Sequence, residues 1–239
     1  MNKKILIGIM AGLLVVVFGL MFFTQGGQQS QQKATEKLQV VTSLRAYQEP
    51  LTEILGDKGT ATALITSSNT DPHDFEPSTA DAKTINDADL IVANGLGYDS
   101  FMNRLAKNSS AKLLLVGEDV YKLKSGANPH LWFKLDLMDK LVPQLVQQLS
   151  VLSPANKAYF QKNADKYLAS LKEIKSSQTA IKTAVKALPN KKVFVSEPVF
   201  DYALTGYGFE IANSKFEEAI EKEADPSPAV LETMKQQIQ

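Results

Sequence analysis

Four short apolar runs, separated by segments long enough for helices, constrain the fold of the first half of this chain most strongly. The runs cover residues 38–44, 61–66, 89–94 and 112–116, and the helical segments cover residues 47–55, 79–88 and 98–106. Strands that are apolar on both faces must be covered on both sides, and their alternation with helices favours parallel pairing. We therefore predict an α/β fold with a parallel sheet, and a ligand site beyond the carboxyl ends of its strands.

The middle of the chain carries the longest helical pattern. An amphipathic helix is predicted over residues 135–149, and residues 154–188 then place apolar side chains at three- and four-residue steps. Ser153 can cap this segment, and Pro154 suits its first turn. One continuous helix here would be roughly 50 Å long at about 1.5 Å per residue. The alternative is two shorter helices that separate near Ser176 and Ser177.

A second strand-rich part follows. Strands are predicted over residues 192–196 and 209–212, and a closing helix over residues 229–239. Ser227 followed by Pro228 is a helix-start signal, so this closing segment is interpreted as structural. The sequence therefore predicts a second α/β region after the long helical segment.

Composition excludes several classes of protein. The chain has 239 residues with 26 basic and 26 acidic side chains, so no charge excess favours a nucleic-acid partner. It contains no cysteine, which excludes disulfides, thiolate metal sites and a cysteine nucleophile. A transition metal would have to be held by nitrogen and oxygen ligands.

The amino terminus has the pattern of an export signal. Two lysines precede an apolar run over residues 5–23, which just reaches across a bilayer core and lacks a small-x-small cleavage site. We predict that residues 1–25 are a signal peptide or, preferably, an uncleaved membrane anchor. Residues 26–37 are rich in Gln, Ser and Gly and are predicted to be a flexible tether. Either outcome places the remaining chain outside the cytoplasm, tethered to the membrane or secreted after cleavage.

The two histidines of the chain have similar surroundings. His73 lies in the run N-T-D-P-H-D-F-E-P-S, and His130 lies in the run N-P-H-L-W-F. The prolines stiffen the backbone around each imidazole, which suits a metal ligand, although a surface histidine is the alternative. Glu197 follows a predicted strand and precedes a proline, so it is the third candidate ligand; its alternative role is to cap the next helix.

These three side chains are far apart in sequence, which argues against a small closed zinc module and fits a site assembled between two lobes. Nitrogen and carboxylate donors suit first-row divalent metals. Asp71, Asp74 and Glu76 are candidates for the groups that orient His73.

The motifs resemble those of the substrate-binding proteins of manganese and zinc ABC importers, which carry D-P-H-x-[FY]-E-P-[ST] and N-P-H-x-W segments. The resemblance covers residues 38–239 and implies an N-terminal α/β lobe over residues 38–152. It also implies a long linking helix over residues 153–189 and a partial C-terminal α/β lobe over residues 190–239. Family chains continue to a fourth ligand, usually an aspartate, that has no counterpart here. The chain therefore resembles a C-terminally truncated member of the family.

The resemblance implies that a monomer captures Mn or Zn as a transported ligand and delivers it to an ABC transporter permease, without catalysis. A glutamate ligand and the lack of a histidine-rich loop favour Mn, whereas the general order of affinities favours Zn. Delivery would be weakened by the missing fourth ligand. The alternatives are a metal-dependent hydrolase, with Asp74 or Glu76 as the base, and a surface adhesin.

Overall fold

A computed structural model describes residues 37–67, 70–72, 74–222 and 224–238. The predicted leader and nearly all of the predicted tether lie outside these residues, and so does His73. Among the helices of the described residues, none is both long and apolar enough to cross a membrane.

The first half of the described chain forms a parallel four-stranded sheet with the strand order β2-β1-β3-β4. The strands are β1 (Leu38–Leu44), β2 (Gly59–Ile65), β3 (Leu90–Ala93) and β4 (Lys112–Leu115), and the helices between them are α1 (Arg45–Leu55), α2 (Thr79–Asn86) and α3 (Ser100–Ala106). Because all four strands run the same way, their carboxyl ends lie at one edge. The predicted α/β class with a parallel sheet is confirmed.

The helical middle of the chain contains α4 (Leu137–Leu152), α5 (Lys157–Ser170) and α6 (Lys172–Lys186). The prediction of one uninterrupted helix over residues 154–188 is wrong, because the segment divides at Leu171. The N–H of Leu171 bonds to the carbonyl of Leu168 at 3.3 Å, a tighter three-residue step, and regular bonding resumes from Lys175 to Leu171 at 3.0 Å. The alternative of two shorter helices is correct, but they separate at Leu171 and not near Ser176 and Ser177, which lie inside α6.

Packing explains where the division falls. Helix α1 covers β1 and β2 on one side and contacts α5 on the other, and α5 also packs on α4. In α5 the buried side chains are Phe160, Ala164 and Tyr167, whereas in α6 the buried side chain is Val185. The segment therefore leaves the hydrophobic core near Leu171, and tertiary contacts rather than helix propensity set its boundary.

The last part of the described chain pairs β5 (Lys192–Val193) with β6 (Glu210–Ile211) in parallel. It also contains α7 (Asp201–Tyr207), α8 (Ser214–Glu221) and α9 (Pro228–Ile238). The predicted strand over residues 192–196 is shortened because the side chain of Asn213 takes over its hydrogen bonds. Asn213 accepts from the N–H of Val195 at 3.0 Å and donates to the carbonyl of Val195 at 2.7 Å. At the start of α9, the Ser227 hydroxyl accepts from Val230 N–H at 3.4 Å, as the helix-start signal predicts.

Candidate metal site

The loop after β2 is held on both sides of position 73. Pro72 is buried, and the ring of Phe75 packs on that of Phe101 with centroids 4.8 Å apart. The loop ends in a capping box: Ser78 Oγ accepts from the Asp81 N–H at 3.2 Å, and Asp81 Oδ2 accepts from the Ser78 N–H at 2.8 Å. These contacts fix the backbone on either side of His73, which itself lies outside the described residues.

His130 is buried, with 6% of its surface exposed, and its ring orientation is set by Asn128. Asn128 Oδ1 lies 2.9 Å from the backbone nitrogen of His130 and 2.9 Å from its ring Nδ1. The backbone N–H can only donate, so the atom that faces both nitrogens is the amide oxygen. His130 Nδ1 therefore carries the proton, and the lone pair of the ring is on Nε2. Ligating histidines are typically oriented in this way by a second group.

A buried polar network supports the backbone of the His130 loop. Asn94 Nδ2 donates to the carbonyl of Pro129 at 2.9 Å, and Asn94 Oδ1 accepts from the hydroxyl of Tyr47. The Asp99 carboxylate accepts from the N–H groups of Asn94 at 2.6 Å and Gly95 at 2.9 Å. Burial raises the pKa of Asp99, and its hydrogen bonds act in the opposite direction. The network connects helix α1 and the end of β3 to Pro129, the residue that precedes His130.

Aromatic rings surround His130. The ring centroid of His130 lies 5.8 Å from that of Tyr98 and 5.2 Å from that of Trp132. Burial raises the pKa of Tyr98, and the negative charges of Asp71 and Glu221 raise it further. Acidic side chains from the loop after β2 and from α8 therefore act on the same ring. Sequence reasoning did not single out Glu221.

A cavity of about 510 Å³ opens at the carboxyl edge of the sheet beside these rings. Its walls come from the ends of β1 and β2, from the aromatic cluster and from the segment after Glu197. The lining residues include Leu44, Ile65, Pro72, Tyr98, Trp132 and Val199. The cavity lies beyond the carboxyl ends of the strands, where the sequence predicts a ligand site.

Glu197 is exposed and lies on extended backbone with φ −146° and ψ 153°. The segment that follows it contacts the His130 loop in three ways. Asn128 Nδ2 donates to the carbonyl of Pro198 at 2.7 Å, and the hydroxyl of Tyr202 donates to the carbonyl of Asn128 at 2.9 Å. The rings of Phe133 and Phe200 pack with centroids 4.5 Å apart. Two of the three segments predicted to supply ligands are therefore neighbours.

Within residues 37–67, 70–72, 74–222 and 224–238, no group of three or more His, Asp or Glu side chains is arranged to hold a metal. The set His73, His130 and Glu197 includes a residue beyond those ranges and so remains a prediction. Asp71, Asp74 and Glu76, predicted to orient His73, are exposed.

The groups that position His130 are Asn94 and Asn128, which sequence reasoning missed. In the sequence, the only indication that Asn128 positions His130 is its place two residues before the histidine. Nothing in the sequence around Asn94 indicates such a role.

Three comparisons with known proteins show which proteins this chain resembles. The family model of ZnuA, zinc-uptake complex component A periplasmic, matches residues 40–239. The high-affinity zinc uptake system protein ZnuA of Bacillus subtilis is 28% identical over 222 residues, which cover 83% of this chain and 68% of that protein. The manganese-binding lipoprotein MntA of Halalkalibacterium halodurans is 28% identical over 182 residues, which cover 73% of this chain and 59% of that protein.

A solved structure extends the comparison to the fold. The crystal structure of the metal-dependent lipoprotein YcdH from Bacillus subtilis is similar with a TM-score of 0.63 and 31% identity. The match covers 73% of this chain and 66% of that chain. This chain thus spans about three fifths to two thirds of the length of these relatives. The resemblance predicted from the two histidine motifs is confirmed, and this chain is a member of the ZnuA family, the zinc-uptake complex component A periplasmic proteins.

Proposed function

We propose that this protein binds a divalent transition-metal cation, Zn²⁺ or Mn²⁺, outside the cytoplasm and delivers it to the membrane permease of an ABC importer. The observation that carries the proposal is the direct contact between the His130 loop and the segment that follows Glu197, with Asn128 bonded to both. His73, from the loop after β2, is proposed as the third ligand. The cation is the transported substrate, and no covalent step is involved.

The donor set explains why both metals remain candidates. Two imidazoles and one carboxylate suit Zn²⁺ and Mn²⁺, and the hard oxygen of Glu197 favours Mn²⁺ more than a third imidazole would. The relatives named above include a zinc uptake protein and a manganese-binding lipoprotein. Zn²⁺ should nevertheless bind at least as tightly as Mn²⁺ in solution, because affinity for such sites rises from Mn²⁺ to Zn²⁺.

The burial of the two described ligands is unequal, and this suits release. His130 is buried in a hydrogen-bonded and aromatic surround, whereas Glu197 is exposed at the end of an extended segment. Glu197 can therefore leave the cation without exposing core side chains, while His130 holds it until the last step. A transported ligand needs such a site, because a closed structural site would retain it.

The proposed location is the outer face of the membrane, with residues 1–25 as signal peptide or anchor and with a monomer as the working unit. The family model describes a periplasmic component, and MntA is named as a lipoprotein. Both descriptions support an extracytoplasmic site of cation capture. The partner is the permease, which would dock on the surfaces that flank the cavity.

The test is calorimetric titration of Zn²⁺ and Mn²⁺ into the purified chain and its His73→Ala, His130→Ala and Glu197→Ala variants. One site per chain is expected, and each substitution should weaken binding at least about tenfold, which corresponds to about 1.4 kcal/mol. Trp132 provides a second readout: it is the single tryptophan of the chain and lies beside His130, so bound cation should change its fluorescence.

Glu210→Ala is the matched control, since Glu210 is an exposed carboxylate on β6. It should leave both affinities unchanged. Parent-like affinity in all three ligand variants would overturn the assignment. Delivery is tested by uptake of the same cations in cells that depend on this protein, where the ligand variants should fail and the control should not. Turnover of an ester or phosphate substrate that His73→Ala abolishes would favour a hydrolase instead.

A further inference from the structure

Asn128 uses all of its side-chain polar atoms, and it uses them on two different segments. Its Oδ1 faces the backbone nitrogen and ring Nδ1 of His130, each at 2.9 Å. Its Nδ2 donates to the carbonyl of Pro198 at 2.7 Å. The backbone N–H of His130 requires an acceptor and the Pro198 carbonyl requires a donor, so the amide has a single consistent orientation.

The Pro198 carbonyl is close to the predicted ligand Glu197, and the backbone on the other side of Glu197 is also held. The buried side chain of Asn213 accepts from the N–H of Val195 at 3.0 Å and donates to its carbonyl at 2.7 Å. Residues 195–198 are thus fixed at both ends by asparagine amides. The backbone of Glu197 lies between these two fixed points.

We propose that Asn128 is a positioning residue that couples the two ligand segments, setting the ring of His130 with its oxygen and the backbone of Glu197 with its NH₂ group. This inference rests on the proposed function and deepens it. Loss of the bond to the Pro198 carbonyl would shift the backbone of Glu197 and move its carboxylate away from the cation. This effect is separate from the orientation of the His130 ring, because Pro198 bonds to Asn128 Nδ2 and the ring faces Asn128 Oδ1.

The chemistry of the amide allows the two roles to be separated. In Asn128→Asp a carboxylate still accepts from both nitrogens of His130, but it has no donor for Pro198 and repels that carbonyl. In Asn128→Ala both functions are lost. The matched control is Asn163→Asp. Asn163 lies on helix α5, and its Nδ2 also donates a hydrogen bond to a backbone carbonyl, that of Ile54 at 3.1 Å.

The experiment is a double-mutant cycle on Zn²⁺ affinity in the full-length chain, with Glu197→Ala combined with each Asn128 variant. In the parent and in Asn163→Asp, Glu197→Ala should weaken binding at least about tenfold. In Asn128→Asp it should weaken binding less than about threefold, because Glu197 is already misplaced. The ¹⁵N spectrum of the two labelled histidines should keep the Nδ1–H tautomer of His130 in Asn128→Asp and lose it in Asn128→Ala.

The outcomes separate this inference from the proposed function. A full tenfold effect of Glu197→Ala in the Asn128→Asp background would overturn the coupling and leave the metal site intact. An unchanged His130 tautomer in Asn128→Ala would overturn the other half of the inference. No effect of Glu197→Ala in the parent would overturn the proposed ligand set, and the coupling with it. Melting temperatures measured in parallel identify any variant that binds weakly because it is unfolded.

Discussion

Replacing Asn94 with alanine should destabilise the fold through the polar network beneath His130. Asn94 is fully buried, and the substitution removes the acceptor of the Tyr47 hydroxyl, which is also fully buried. It also removes one donor from the carbonyl of Pro129, which keeps its bond from the Leu131 N–H at 2.6 Å. An orphaned buried hydroxyl costs roughly 1–3 kcal/mol and a lost hydrogen bond roughly 1 kcal/mol. We therefore expect Asn94→Ala to lower the free energy of unfolding by about 2–4 kcal/mol.

A double-mutant cycle isolates the contribution of the Tyr47 contact. Tyr47→Phe leaves Asn94 Oδ1 without its donor and should cost about 1–3 kcal/mol. In the double variant neither group is left unpaired, so its cost should be smaller than the sum of the single costs by about 1–2 kcal/mol. Urea unfolding followed by circular dichroism measures these values, and an unchanged m-value shows that the same transition is compared.

Asn163→Ala is the matched control for this cycle. The side chain of Asn163 donates to the carbonyl of Ile54 from a half-buried position, so the removal of this bond should cost about 1 kcal/mol or less. Additive costs of Asn94→Ala and Tyr47→Phe would refute the reasoning. So would a cost for Asn94→Ala no greater than that of the control.

Two further predictions concern other elements. Glu217 is buried against Asp201, and burial, followed by the negative charge of Asp201, raises the pKa of Glu217 from 4.5 to about 8. The folded state then binds a proton that the unfolded state has released, so stability should fall as pH rises from about 4.5 to 8. Glu217→Gln should flatten that slope in urea unfolding at several pH values, and an unchanged slope would count against this pair. Ser78→Ala removes the capping box formed with Asp81 and should lower the free energy of unfolding by about 1 kcal/mol, whereas parent-like stability would show that the cap contributes nothing.

The apolar runs predicted the strands of the first sheet well, because a strand that is apolar on both faces must be buried on both faces. Strand β1 begins and ends at the predicted residues, 38 and 44. Strand β2 begins earlier than predicted, at Gly59, because Gly59 pairs with Leu38 in the parallel register, and register is invisible in one sequence. Strand β5 is shorter than predicted because a side chain, Asn213, replaces strand pairing, and this depends on a residue far along the chain.

The candidate site divides in a similar way. His130 and Glu197 could be proposed from local motifs, because proline and residue type mark their loops. The supporting groups could not be predicted from local patterns. Tyr47 comes from α1, whereas Asn94 and Asp99 come from the connection between β3 and α3, and the pairing of β1 with β3 brings these two parts together. Polar residues of these types are common in protein cores, so residue type does not indicate that these three support the candidate site. Only their positions in the fold do.

The division of the helical segment at Leu171 has a mechanical consequence. Its N–H already bonds three residues back, so a change of direction there would break none of the four-residue bonds of α5 or α6. The side chains of α5 are fixed in the core, whereas α6 is largely solvated. Rotation of the β5–β6 region about Leu171 would therefore break the hydrogen bonds of Asn128 to Pro198 and of Tyr202 to Asn128, but none of the bonds between the strands of the four-stranded sheet.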